Sequence, residues 1–118
     1  MLKMAVFVLA DIESHGDMGR LVNALVAVKE AKDAGDTVAL VFDGAGTRWP
    51  GVLIDPGHPV HPLYDAVRDQ VTGACRFCAD AFGVEEEVGR AVLSLLDQYD
   101  HHPSLRSYLA DNYHVVTF

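Results

Sequence analysis

The stretch Met4-Ala-Val-Phe-Val-Leu-Ala10 most narrows what this chain can become. An unbroken apolar run of β-formers, with no polar alternation, predicts a strand covered on both faces. Thr37-Val-Ala-Leu-Val-Phe42 is a second run of the same kind. Between them Leu21, Leu25 and Val28 recur at helical spacing, with Val22 and Val26 widening the stripe. Asp17 is placed to cap that helix and Gly35 to stop it. Strand, helix and strand in this order need a crossover connection, so the two strands are expected to run parallel.

The remaining chain extends the pattern. From Thr47 to Pro62 it carries Trp49, Pro50, Pro56, Pro59 and Pro62, which predicts a long irregular connection. A short helix is expected over Leu63–Gln70, a third strand over Val71–Cys75 and a helix over Arg76–Phe82, stopped at Gly83. An amphipathic helix from Glu85 to Tyr99 runs through Val88, Val92, Leu95 and Leu96. His102-Pro103-Ser104 opens a further helix through Leu105, Tyr108 and Leu109, and His114–Phe118 is a closing strand. The expected fold is one α/β domain over residues 1–118, a mainly parallel sheet with helices on both faces in flavodoxin-like layers. Half of the 118 residues are hydrophobic, enough to build that core without disulfide or metal. Ligands of such sheets bind beyond the carboxyl ends of the strands, at a topological switch point. Those ends carry Asp11, Asp43-Gly44 and Cys75.

Charge limits the partners. Nine basic residues stand against seventeen acidic ones, a net charge of −8. Nucleic acid and anionic membrane surfaces both require the opposite sign. The first apolar run is too short for a secretory core, and Asp11-Ile12-Glu13 follows where a cleavage site would be. Two cysteines at such close spacing are no secreted disulfide framework, so a reducing cytoplasm is the expected compartment.

Cys75 and Cys78 carry the pointed chemistry. A sulfur where a strand ends and a helix begins meets free backbone N–H groups and the positive helix end, which predicts a lowered pKa, with Arg76 adding to it. Cys78 lies one turn on, within reach of a disulfide, a persulfide exchange or a shared metal. One Cys-x-x-Cys supplies two of the four ligands of a tetrahedral zinc site. Neither His58-Pro-Val-His61 nor His101-His102 completes it at finger spacing, so no metal and no cofactor is expected. The pair also lacks the surroundings of a thioredoxin motif. Asp43-Gly-Ala-Gly46 reads as a tight turn before it reads as a phosphate cradle, its Gly44 and Gly46 letting the loop pass close to Cys75. Asp11 and Asp43 are candidate acid–base groups, and His15 in the first loop is a candidate proton donor to Cys75. His101-His102 reads as turn residues, and Trp49 as an aromatic buried against another subunit.

The segment Thr72-Gly-Ala-Cys-Arg-Phe-Cys-Ala-Asp-Ala-Phe-Gly-Val84 resembles the cysteine segment of the DsrE/DsrF-like (YchN-like) family. Val41-Phe-Asp-Gly-Ala-Gly46, His102-Pro-Ser104 and Tyr113-His-Val-Val-Thr-Phe118 are similar to the same family in order and spacing, so the likeness covers nearly the whole chain. It implies a small parallel α/β fold assembled as homotrimers or homohexamers. It also implies a persulfide-carrying cysteine at the position of Cys75, exchanging sulfur with donor and acceptor proteins. Cys78 stands where the best-known relay subunits have a small residue, which resembles a less characterised branch with Cys-x-x-Cys. The expectation is a sulfur carrier or sulfurtransferase using Cys75, with Cys78 resolving or relaying and Asp11, His15, Asp43, Gly44, Gly46 and Arg76 around the substrate. The alternatives are an oligomeric module binding a small ligand or metal without catalysis, and thiol–disulfide exchange.

Overall fold

A computed structural model describes all residues 1–118. Strands β1 (Lys3–Val8), β2 (Thr37–Phe42), β3 (Val71–Cys75), β4 (Leu95–Leu96) and β5 (His114–Thr117) form one sheet in the order β4-β3-β2-β1-β5. Every neighbouring pair is parallel. Helices α1 (His15–Asp33), α2 (Trp49–Leu53), α3 (His61–Val67), α4 (Arg76–Ala81), α5 (Glu85–Arg90) and α6 (Leu105–Ala110) make the connections.

The alternation of side chains along each strand sorts the core into two layers. Val6, Val8, Leu40, Phe42 and Ala74 face a large cluster with Leu21, Leu25 and Val28 of α1, Trp49, Leu53 and Tyr64. Ala5, Phe7, Ala39 and Val41 face the other way, with Leu96 and the rings of Tyr108 and Tyr113. Topology explains the unequal layers. Steps β1→β2→β3→β4 advance in one direction across the sheet, and right-handed crossovers put their helices on one face. Only β4→β5 reverses, passing beyond β1 and laying α6 on the opposite face.

Several local expectations are corrected. Ser14, not Asp17, caps α1. Its hydroxyl accepts the Asp17 N–H at 3.0 Å while Asp17 Oδ2 accepts the Ser14 N–H at 3.2 Å, a reciprocal capping box. Val26 lies outside the buried stripe and is exposed. The Pro-rich connection is not irregular throughout: residues Gly44–Arg48 form a 3-10 turn that leads into α2. Trp49 is 1% exposed inside this one chain, its Nε1 donating to Ala10 O at 2.8 Å, so no second subunit is needed to bury it.

The helix expected over Glu85–Tyr99 stops at Arg90. Val92 then adopts a left-handed φ of 58° and points to solvent, and Leu95–Leu96 pair with Ala74 and Cys75 as β4. No helix is long and apolar enough to cross a membrane.

Candidate functional site

Cys75 closes β3, and its side chain turns into a niche built by four segments. Asp43 directly follows β2, Cys78 lies in α4, and His102 comes from the loop after β4. Their ligating atoms all lie within 4.8 Å of one another. Cys75 Sγ is 3.3 Å from His102 Nδ1 and accepts the Cys78 N–H at 3.3 Å. Cys78 Sγ lies 3.6 Å from Asp43 Oδ1. Cys75 is completely buried, whereas Cys78 is half-buried.

The electrostatics overturn one expectation. The Cys78 N–H does favour a Cys75 thiolate, but burial outweighs it and pushes the thiol up to about 12. The Asp43 carboxylate and the second thiol act in the same upward direction. Arg76 gives no help, because its Nε donates to Asp97 Oδ2 at 3.1 Å on the surface. Cys75 at rest is therefore a thiol.

The turn after β2 positions Asp43. Its N–H donates to Val8 O at 2.9 Å, its carbonyl accepts the Gly46 N–H at 2.8 Å, and its Oδ1 accepts the Gly44 N–H at 2.8 Å. Gly44 takes a left-handed φ of 53°. Gly46 is needed for close approach: a Cβ there would lie 2.0 Å from Val8 O. The glycines thus shape a tight turn packed against α4 and bring Asp43 to the thiols.

His102 is held as firmly. Tyr99 and His102 exchange backbone hydrogen bonds at 3.0 and 2.8 Å, and the Phe77 N–H donates to His101 O at 2.9 Å. Asp100 and His101 both sit at positive φ, 48° and 66°. The Phe77 ring lies against the His102 imidazole, centroids 4.8 Å apart. A surface cleft of about 350 Å³, lined by Arg76, Phe77, Asp80, Glu85 and His101, adjoins the niche.

Other sequence candidates fall elsewhere. Asp11 is engaged by Arg48 at 2.7 Å, and Arg48 also holds Glu13 at 2.9 Å. His15 is exposed at the first position of α1, outside the group around Cys75. His58 Nδ1 accepts the Val60 N–H in the connecting loop, and His61 Nδ1, at the start of α3, lies 2.7 Å from Leu53 O at the end of α2. The reversal of the sheet falls between β1 and β5, whereas the niche lies at the ends of β2 and β3. The sequence marks His102 as a turn residue. It does close a turn, yet it also faces Cys75 across 27 positions of sequence. No spacing rule reveals that contact.

No family model matches this chain. An uncharacterized protein of Methanocaldococcus jannaschii is 29% identical over 104 residues, covering 88% of this chain and 84% of its own length. A conserved protein of unknown function from Bacteroides thetaiotaomicron superposes with a TM-score of 0.63 over 97% of this chain and 94% of that one, at 13% identity. The chain therefore shares its whole parallel α/β fold with a solved structure.

Proposed function

We propose that this chain carries sulfane sulfur on the Cys75–Cys78 pair, in the manner the DsrE/DsrF-like resemblance implies. The observation that carries the reading is the 3.3 Å approach of His102 Nδ1 to a Cys75 sulfur that also accepts the Cys78 N–H. A proton acceptor and a backbone donor on one sulfur are what an otherwise neutral thiol needs to react as a thiolate. Half-buried Cys78 meets the donor first. Its thiolate attacks the outer sulfur of a donor persulfide, the donor S–S bond breaks, and the donor leaves as a thiolate that takes up the released proton. Cys75, its proton passed to His102, then takes the outer sulfur from Cys78 in the same way, and Cys78 leaves as the thiolate. Neither step changes the total oxidation state. Burial of Cys75 shields the stored sulfur from solvent and stray thiols.

A cytoplasmic setting and a homotrimeric or homohexameric assembly belong to the same reading. Exposed Phe77, Phe82, Tyr99, Leu105 and Leu109 support an assembly, with sulfur-donor and sulfur-acceptor proteins as partners. Thiol–disulfide exchange is a second reading, favoured by two sulfurs within 4.8 Å of each other.

Intact-mass measurement after incubation with glutathione persulfide tests the proposal. One added sulfur, mapped to Cys75, is expected on the wild-type protein, with slower loading on Cys78→Ser; on Cys75→Ser the sulfur should stop at half-buried Cys78, where added thiol strips it. A wild-type protein that takes up no sulfur in the absence of reductant would refute it. A protein that instead loses two hydrogen masses to a Cys75–Cys78 bond would favour disulfide exchange.

A further inference from the structure

We propose that Asp43, Cys75, Cys78 and His102 form a four-coordinate site for a thiophilic divalent cation, with zinc the fitting ion. Two sulfurs, one imidazole and one carboxylate are a donor set suited to tetrahedral zinc, while magnesium and calcium require oxygen donors. With metal–ligand bonds of about 2.0–2.3 Å, neighbouring donors of a tetrahedron stand roughly 3.3–3.8 Å apart. Cys75 Sγ to His102 Nδ1, at 3.3 Å, and Cys78 Sγ to Asp43 Oδ1, at 3.6 Å, already meet that spacing. No separation among the four exceeds 4.8 Å, so the longest edge needs to close by only about 1 Å.

The donors come from four segments, so the cation would tie the ends of β2 and β3 to α4 and to the loop after β4. That loop also fixes the imidazole donor. Asp100 and His101, neither of them glycine, hold successive left-handed conformations, and the strained turn aims His102 at Cys75. Such strain persists where the surrounding structure over-determines it, commonly at ligand clamps. Asp43 is fixed by its bond to the Gly44 N–H, and His102 by the Phe77 ring. The ligands are thus pre-oriented by neighbours, as functional metal ligands generally are. Because both thiols become ligands, cation and sulfane sulfur exclude each other. This last consequence alone rests on the sulfur-carrier reading.

Cobalt(II) added to the reduced, metal-free protein in the absence of any sulfur donor tests the site. One equivalent should give the sulfur-to-cobalt charge-transfer band and the intense visible bands of tetrahedral cobalt, both removed by one equivalent of zinc. Cys78→Ser and His102→Gln should each weaken zinc binding at least about 100-fold in competition with a chromophoric chelator. His58→Gln and His61→Gln should leave it unchanged. Circular dichroism identifies any variant that fails to fold, and X-ray absorption at the zinc edge of the wild-type protein gives the ligand set without mutation. A cobalt complex lacking sulfur charge transfer, or a zinc shell without two sulfurs, would overturn the proposal. Because no sulfur donor is present, failure here leaves persulfide loading untouched, and failure of loading leaves this result standing.

Discussion

Replacing Gly46 by alanine should damage both the fold and the niche, by an amount the packing sets. The new Cβ would sit 2.0 Å from Val8 O and 2.8 Å from Val8 C, whereas ordinary contact begins at 3.4 Å. Both obstructing atoms are backbone of a central strand, so the turn after β2 must retreat by about 1.4 Å. Overpacking of this kind costs about 1–3 kcal/mol. The same retreat breaks the bond from the Asp43 N–H to Val8 O, about 1 kcal/mol more. With a urea slope of about 2 kcal/mol per molar, the middle of the range for small domains, the unfolding midpoint should fall by roughly 1–2 M. Asp43 moves with the turn, so Cys78 loses its carboxylate neighbour and its reaction with Ellman's reagent should change. Gly44→Ala is the control. Its Cβ would meet only Leu9 Cδ2, at 3.6 Å, leaving a left-handed φ to cost about 1 kcal/mol, which asparagine at the same position would largely relieve. Urea denaturation followed by far-ultraviolet circular dichroism separates the cases. A Gly46→Ala midpoint within about 0.3 M of wild type would refute the packing argument.

Trp49, the single tryptophan, should emit at short wavelength and resist acrylamide quenching, and Trp49→Phe should cost about 2–4 kcal/mol in urea unfolding by orphaning Ala10 O and opening a void. In the reduced, metal-free protein iodoacetamide should label Cys78 before Cys75, and peptide mapping should show Cys75 labelling still rising with pH well beyond the usual thiol range. The raised Cys75 pKa also means that its contribution to stability is complete below about pH 9 and declines as pH rises towards 12. In denaturation curves taken across that range the alkaline loss should be smaller in Cys75→Ala, where of the groups raised by burial only the Tyr64 and Tyr108 phenols remain. At the acid end, Arg20 holds the Asp17 carboxyl below its usual range, aided by Ser14. That contribution is present above pH 4 and disappears as pH falls through the lowered pKa, so Asp17→Asn should be less stable at pH 7 yet flatter in acid titration by circular dichroism.

The fold was legible where burial is two-sided and the runs are long. Val71–Cys75 forms the strand expected from its residues, and β1 and β2 follow their apolar runs, because a parallel sheet covered by helices leaves no face for polar residues. β4 was illegible. Val88, Val92, Leu95 and Leu96 fit a helical stripe, and only the backbone partners Ala74 and Cys75 make Leu95–Leu96 a strand. Trp49 misled for a related reason: its partner is a backbone carbonyl 39 positions away, which no local pattern encodes. At the site, the cysteines and Asp43 were marked by their places at strand ends. His102 owes its role to a turn whose two left-handed residues, Asp100 and His101, carry none of the glycine that usually announces such a conformation. For Cys75, a strand-to-helix junction reveals the backbone donor but not the depth of burial, and burial is what sets the thiol's pKa.

The strand order also dictates a timetable for synthesis. β1 is made first, yet one of its edges stays open until β5, more than a hundred residues later, arrives to cover it. Cys75 likewise precedes His102 by 27 positions, an interval of roughly one to five seconds at ordinary translation rates. During that interval the two thiols exist in the nascent chain without the histidine that will face Cys75. The enclosure of Cys75 and the closing of the sheet edge are therefore both completed by the last part of the chain, so a chain that stalls short of β5 keeps an open edge.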